Sequence, residues 1–182
     1  MKQFFKYFGI LVMIVIFTIS CDDNPSLQKY YVDSQESADF ISLDIPASVI
    51  ELKDENTSAD AIETLESIKK VNFLGFRLTD KNIVEFSAEK LKVKQILKNP
   101  KYQELISIGG SNQSLSVKFL GEDDAIDEVI IFGSDKEQGF ALVRVLGSNM
   151  DPAKMMQLAQ EIKVDGQDSS LKQLESFMKN FN

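Results

Sequence analysis

The chain contains no histidine and no tryptophan, and Cys21 is its only cysteine. Histidine is the commonest side chain for acid–base catalysis near neutral pH and the commonest ligand of transition metals. Its absence excludes catalytic triads of the Ser-His-Asp and Cys-His kinds. A single cysteine also excludes an internal disulfide. The sequence therefore predicts a protein that is not an enzyme, with no catalytic residues, no metal site and no cofactor.

Basic residues are outnumbered as well. The chain has 20 Lys and Arg against 28 Asp and Glu, which gives a net charge of −8. Two of the lysines, Lys2 and Lys6, lie in the first 20 residues, which contain no acidic residue, so the remainder is still more acidic. Nucleic acids and anionic lipids are both bound through basic side chains. The charge argues against a nucleic-acid partner and against electrostatic attachment to a membrane.

The longest apolar run lies at the N-terminus. Lys2 and Lys6 lead into an uncharged stretch over residues 8–19, and the small residue Ser20 precedes Cys21. A basic start, an apolar centre and a small residue at the cleavage position are typical of a secretory signal peptide. The run is shorter than the ~20 apolar residues that a transmembrane helix needs. We predict that residues 1–20 are a signal peptide, cleaved between Ser20 and Cys21.

The residues around the cleavage position resemble a bacterial lipobox, in which the cysteine is acylated and becomes the new N-terminus. The match is Thr18-Ile19-Ser20-Cys21, although the position of Thr18 usually carries leucine or a similar aliphatic residue. The resemblance implies a lipoprotein of the bacterial cell envelope, anchored through acyl chains on Cys21 in the outer membrane and facing the periplasm or the cell surface. The alternative is an ordinary signal peptide with an incidental cysteine.

Asp22-Asp23 directly follows the cysteine and leaves the sorting of such a lipoprotein open. An aspartate at this position resembles an inner-membrane retention signal of enterobacteria. Acidic residues there also resemble surface-export signals of Bacteroidetes-type bacteria.

The rest of the chain divides into a tether and one domain. Residues 21–37 are polar and predict a flexible tether that carries the acylated cysteine. Tyr30 and Tyr31 lie within it. The alternatives for their side chains are docking on the domain, simple exposure and binding to a molecule outside. Residues 38–182 predict a single domain, which ends in an amphipathic helix through Leu171 and Phe181.

Hydrophobic periodicity predicts an α+β fold for this domain. We expect an antiparallel sheet of about five to six strands, with the helices packed on one face. The strands are expected over residues 41–45, 71–78, 102–108, 115–119, 127–132 and 140–146, and the helices over residues 59–70, 82–99, 151–162 and 170–181.

The order of these segments resembles the domain of unknown function 4252 family, small lipoproteins of Bacteroidetes-type bacteria. The segments that carry the resemblance are Ile41 to Pro46, Leu65-Glu66-Ser67-Ile68, Asn72 to Leu78, Pro100 to Leu105, Val117-Lys118-Phe119, Ile126 to Ile131 and Met155 to Ala159. They cover most of residues 38–162. The resemblance implies no established activity and no catalytic residues. The genes of such proteins often lie beside those of extracytoplasmic-function sigma factors, which would imply envelope signalling.

The densest carboxylates are a candidate Ca²⁺ site, because Ca²⁺ takes six to eight oxygen ligands. They are Glu122, Asp123, Asp124, Asp127 and Glu128. Their spacing does not fit an EF-hand loop, in which acids alternate and a glycine makes the sharp turn, so we interpret them as a solvated hairpin. Asp165-Gly166-Gln167-Asp168 fails the same test and predicts a turn between two helices.

Three further segments have a functional and a structural interpretation. Gly109-Gly110-Ser111 could offer backbone amides to an anion, but the pattern favours a hairpin turn. Ser148 and Lys154 could form a serine–lysine pair, although many such pairs can be drawn in this chain. The stripe from Leu171 to Phe181 could lie on a membrane, but its mixed polar face favours packing on the domain or on a partner.

The sequence thus predicts a lipid-anchored envelope protein that binds another macromolecule, either an envelope protein or a surface ligand. One alternative is an envelope sensor or regulator coupled to an extracytoplasmic-function sigma-factor system. The other is a hydrolase that uses carboxylates alone, which would need two acids with opposed pKa values in one deep pocket.

Overall fold

A computed structural model describes residues 26–53, 58–163 and 168–179 of the chain. The predicted signal peptide, its cleavage position at Ser20 and the lipidation site Cys21 lie outside the described residues. The same holds for residues 165–167 of the predicted turn between helices. Within these ranges, no helix is both long enough and apolar enough to cross a membrane.

The centre of the fold is a six-stranded antiparallel sheet. The strands are β1 (Phe40–Pro46), β2 (Glu51–Leu52), β3 (Ile68–Arg77), β4 (Gln103–Gly109), β5 (Gln113–Glu122), β6 (Ala125–Asp135), β7 (Gly139–Met150) and β8 (Ile162–Lys163). The spatial order is β1-β3-β7-β6-β5-β4, and β2 and β8 form a separate two-stranded ribbon. Strands β4 to β7 follow one another as hairpins, so β4 and β1 are the two edges. The α+β fold and its antiparallel sheet are thereby confirmed.

Among the described residues, five α-helices accompany the sheet: α1 (Leu27–Ser34), α2 (Ala59–Ser67), α3 (Ile83–Ile96), α4 (Pro152–Glu161) and α5 (Ser169–Lys179). Their starts follow local chemistry, because a side-chain oxygen at the N-cap accepts from an otherwise unpaired amide of the first turn. Ser58 accepts from the Ala61 amide at 3.2 Å. Asp151 accepts from the amides of Ala153 and Lys154, and Pro152 occupies the first turn, where its missing N–H is not needed.

One face of the sheet is covered by α1 and α3 and carries an aromatic cluster of Phe40, Phe76, Phe86, Phe132 and Phe140. The ring of Phe140 is stacked on that of Phe76 with centroids 5.4 Å apart. It also lies within 6.2 Å of the centroids of Phe40, Phe86 and Phe132. Phe140 is fully buried at the centre of this cluster.

The opposite face is covered by the other three helices. Side chains from α2 and α4 pack with Phe119, Val129 and Val145 of the sheet. Helix α5 packs over β1 and β3 through Leu171 and Phe177. Gly75 of β3 makes room for this contact, since a Cβ there would lie 2.5 Å from the Phe177 ring.

The expectation that the helices lie on one face of the sheet is therefore wrong. Adjacent residues of a strand point to opposite faces. Phe73 belongs to the cluster under α5, whereas Leu74 belongs to the cluster under α1 and α3. Central strands β3, β6 and β7 are apolar on both sides, so each side has a layer of helices.

The predicted tether over residues 21–37 is also wrong in its second half. Residues Leu27–Ser34 form helix α1, with the side chain of Ser26 as the N-cap. Leu27, Tyr30 and Tyr31 are buried against the sheet, so the two tyrosines dock on the domain. The domain accordingly begins at Ser26 or before it, rather than at residue 38.

Candidate interaction surface

An ion pair lies beneath α1 at the end of the aromatic cluster. Arg144 of β7 donates from Nε and Nη2 to the two carboxylate oxygens of Glu128 on β6, both at 2.8 Å. The side chains are 13% and 8% exposed, respectively. Gln28 of α1 accepts a third bond from Arg144 Nη1 at 2.6 Å. Burial lowers the pKa of Arg144, but the hydrogen bonds and charge of Glu128 outweigh it and raise that pKa overall.

Two further polar contacts continue this row across the sheet. Asp44 accepts a hydrogen bond from the Asn72 side chain, and Asn72 lies opposite Arg144 in the register of β3 and β7. The Tyr31 hydroxyl donates to the carbonyl oxygen of Leu142 at 2.9 Å. These contacts satisfy polar groups that α1 covers, so their main effect is to position that helix on the sheet.

Tyr30 and Tyr31 are expected to resist ionisation as the pH rises. Burial raises the pKa of both phenols, and the Glu89 carboxylate raises that of Tyr30 further. The two phenols therefore do not change the free energy of unfolding below the unfolded-state pKa of about 10. Above that pH they lower it, because only the unfolded chain releases these protons readily. In an ultraviolet titration, both phenols should ionise together with the loss of far-ultraviolet circular dichroism.

The Tyr30→Phe/Tyr31→Phe variant is the control for this titration, since the delayed ionisation should disappear from its spectrum. Ionisation of both phenols near the ordinary pKa, with the circular dichroism unchanged, would contradict the burial of α1.

Strand β4 is the exposed edge of the sheet. It pairs with β5 on one side, and no other strand of the described segments pairs with its outer side. Six of its seven residues are exposed, including Leu105 and Ile108. A bulge between Glu104 and Ile106 shifts the pairing with β5. Edge strands usually carry lysine, proline or a cover that prevents pairing with other chains. Strand β4 has neither lysine nor proline, so its backbone remains available beyond the bulge.

Two hollows flank this edge. The first, the edge groove, has a volume of about 400 Å³ and is lined mainly by Ile108, Leu115, Gly133 and Ala141 with polar neighbours. Ile108 is 60% exposed. An apolar groove beside a free strand suits an extended segment of another chain, which gains backbone hydrogen bonds from the edge and places side chains in the groove.

The second hollow, the lysine cleft, lies between the C-terminal part of α3 and strands β4 and β5. It has a volume of about 390 Å³. Its charged and hydroxyl-bearing residues include Lys94, Lys98, Lys118, Glu104, Ser107 and Ser116. Lys118 is the most buried of the lysines; its Nζ lies 3.9 Å from a Glu104 oxygen. The lysines outnumber the acid, so the cleft is locally positive in an acidic protein.

The carboxylates suggested for Ca²⁺ do not converge. Glu122, Asp123 and Asp124 lie at the turn between β5 and β6, whereas the Glu128 side chain lies on the sheet and binds Arg144. Asp127 is exposed and lies between Ile126 and Glu128, where the register of β6 with β7 shifts. In the ranges described above, no group of three or more Asp, Glu and Cys side chains is arranged to hold a metal ion.

The suggested pair of Ser148 and Lys154 is not formed. Lys154 instead binds Asp60 and Glu63 of α2 at 3.1 and 3.0 Å. Ser148 Oγ accepts a bond from Lys69 Nζ at 2.6 Å, on an exposed surface. A lysine that serves as a catalytic base is desolvated, which Lys69 is not.

The remaining candidate segments have structural roles. Gly109-Gly110-Ser111 belongs to the β4–β5 hairpin, in which the Gly110 amide donates to the Gln113 carbonyl at 2.8 Å. The C-terminal stripe packs on the domain through Leu171 and Phe177, as one of its two structural interpretations predicts. Its last residue, Phe181, lies outside the described residues.

The lysine cleft and the buried ion pair were not predicted from the sequence. A sequence pattern could have indicated the cleft, because Lys90, Lys94 and Lys98 recur at intervals of four and so lie along one side of a predicted helix. No sequence pattern indicated the ion pair, since its formation depends on the register between β6 and β7.

The family described as Domain of unknown function (DUF4252) matches residues 30–158. The match begins within α1 and ends within α4, so it includes the whole six-stranded sheet. No curated protein and no solved structure matches the chain. Because the family match covers well over half of its length, the chain belongs to the domain of unknown function 4252 family.

Proposed function

We propose that this protein is a lipid-anchored, non-enzymatic binding module of the bacterial cell envelope. The observation that supports a binding role is the free edge of β4 beside the apolar edge groove. An uncovered edge strand with exposed Leu105 and Ile108 promotes aggregation of a monomer unless a partner covers it. We infer that a partner protein adds an extended segment to β4 and places its side chains in the groove.

The proposed location rests on the N-terminal sequence. The signal-peptide pattern and Cys21 support export followed by acylation, and burying acyl chains in a bilayer contributes ~0.8 kcal/mol per methylene. Protease treatment of intact source cells tests this location, with Cys21→Ser as the comparison. Release of the native domain but not of the variant would support a surface lipoprotein.

The outcome of that experiment also separates the two binding roles. Resistance until the outer membrane is opened would place the domain in the periplasm and favour a sensor or regulator over a receptor for surface ligands. Equal membrane association of the native protein and Cys21→Ser would show that acylation is not the anchor.

The β4 interaction can be tested in cells with a photocrosslinking amino acid at position 105. We expect a defined adduct with one partner protein. The same amino acid at Gln157, an exposed position on α4, should give none. Substitution Ile108→Lys should abolish the adduct at position 105, because a charge on an edge strand blocks pairing with another chain.

The matched control is Val84→Lys, which places the same charge on the exposed surface of α3, where Val84 is 77% exposed. It should leave the adduct at position 105 intact. Adducts of equal yield at positions 105 and 157, or an adduct that Ile108→Lys does not change, would show that β4 is not the interaction surface.

A further inference from the structure

The lysine cleft combines positive charge, hydroxyl groups and an apolar wall. Lys94 of α3 and Lys98, two residues past the end of that helix, line one side of the cleft, and Lys118 of β5 lines another. Ser107 and Ser116 lie opposite each other in the register of β4 and β5 and add two hydroxyls. Leu97 and Phe132 form its apolar wall. The side chains of Leu115 and Ile108 point to the opposite face of the sheet, into the edge groove. Lysines and hydroxyls donate hydrogen bonds, so the cleft presents donors next to apolar surface.

The positive charge of the three cleft lysines exceeds the negative charge that lines the cleft. Among the described residues that line the cleft, Glu104 is the only acidic one, and its carboxylate is 55% exposed at 3.9 Å from Lys118 Nζ. The basic region extends along α3 beyond the cleft. Burial and the neighbouring charges of Lys94 and Lys136 lower the pKa of Lys90, and the Asp135 carboxylate only partly opposes them. A net acidic chain that concentrates lysines at one concave site attracts anions there in particular.

We propose that the lysine cleft binds a small amphiphilic anion, with its acidic head group between Lys94, Lys98 and Lys118 and its apolar body on Leu97 and Phe132. The cleft volume of about 390 Å³ lies in the range of small-molecule sites. The head group displaces the Glu104 carboxylate from Lys118. The ligand is distinct from the macromolecular partner proposed above, so the purified protein alone suffices for a test.

The shared chemistry of head and body can be tested with three probes: hexyl phosphate, inorganic phosphate and hexyl glucoside. We expect hexyl phosphate to shift the NMR amide signals of Ser107, Ser116 and Lys98. Inorganic phosphate, which lacks the apolar body, should shift the same signals at least tenfold more weakly. Hexyl glucoside, which lacks the charge, should not bind in the cleft. Equal affinity for the two phosphates would mean a simple anion site and would overturn the amphiphilic assignment.

Two substitutions with opposite effects locate the site. Lys94→Gln/Lys98→Gln should weaken hexyl phosphate binding about tenfold or more, because each loses a charge-assisted hydrogen bond. Glu104→Gln should tighten it by about two- to fivefold, since it removes an exposed competing carboxylate. All three positions are exposed, so folding should be unaffected.

The matched control is Lys172→Gln, which removes one lysine from the exposed surface of α5. A loss of affinity equal to that of Lys94→Gln/Lys98→Gln would show general charge attraction and would overturn the proposal. The proposal also fails if Glu104→Gln weakens binding, or if millimolar hexyl phosphate leaves the cleft signals unchanged.

Discussion

Substitution Phe140→Ala is expected to lower the free energy of unfolding by about 4 kcal/mol. The fully buried ring of Phe140 touches those of Phe40, Phe76, Phe86 and Phe132. Its removal loses the transfer free energy of the ring and leaves a cavity between β7 and α3, because such a core relaxes only in part. Urea unfolding monitored by circular dichroism measures the change.

Two further variants serve as controls for this prediction. Phe140→Leu should cost less than Phe140→Ala because it fills much of the same space. Val84→Ala on the exposed surface of α3 should change the free energy by less than about 0.5 kcal/mol. A loss below about 1 kcal/mol for Phe140→Ala would mean that the aromatic cluster is not the packed centre of the fold.

The second large effect is expected at the buried ion pair. Substitution Arg144→Met should cost about 3–5 kcal/mol, because it leaves the Glu128 carboxylate buried without its partner. Unfolding of the native protein and of the variant in urea measures this cost.

The double variant Glu128→Leu/Arg144→Met separates pairing from packing. It should recover most of the stability that Arg144→Met loses, because replacing a whole buried ion pair with apolar side chains is often neutral or stabilising. If the double variant is as unstable as the sum of the two single variants, the pair acts through packing of the stems, and the assigned charge effect is absent.

The hairpins of β4 to β7 were predictable because their signals are local. Turn residues such as Gly109 and Gly110 separate runs in which apolar and polar residues alternate, and this fixes the strands and their antiparallel order. Strand ends were less accurate. Helix α2 stops at Ser67 instead of residue 70, because β3 already pairs with β7 from Ile68 onward.

Helix α1 had a signal that polar composition obscured. Leu27, Tyr30, Tyr31 and Ser34 recur at the spacing of one helical face, and these four residues are the buried ones. Tyrosine has an apolar ring and a polar tip, so it serves both in a tether and in a core. Only tertiary packing shows that the hydroxyl of Tyr31 meets a strand carbonyl.

The two-sided coverage of the sheet could also have been inferred. Val129 and Ile131 of β6 alternate with Ile130 and Phe132, so both sides of this strand are apolar, which is typical of a strand buried on both faces. In contrast, the buried face of α3 could not be read from hydrophobic periodicity. Phe86 and Val93 are buried, while Val84 and Leu91 lie on the opposite side of the helix and are exposed, so no single stripe stands out.

The sites depended on distances that no local pattern contains. Arg144 and Glu128 are 16 residues apart and meet only because the β6–β7 register places Glu128 opposite Leu146, two residues from Arg144 on the same strand. Lys118 reaches the cleft from another part of the chain than Lys94 and Lys98. For these reasons the side chains were predictable as exposed or half-buried, but their convergence was not.

Helix α1 begins only six residues after Cys21, and this limits the distance between the domain and a bilayer if Cys21 is the anchor. On the proposed anchor at Cys21, only six residue steps lead to Leu27, and a fully extended chain spans about 20 Å over that distance. The headgroup region itself takes up part of this length, since it adds several ångströms on each side of a ~30 Å hydrocarbon core. On this proposal the domain lies close to the membrane surface, where other molecules of the same leaflet are within its reach.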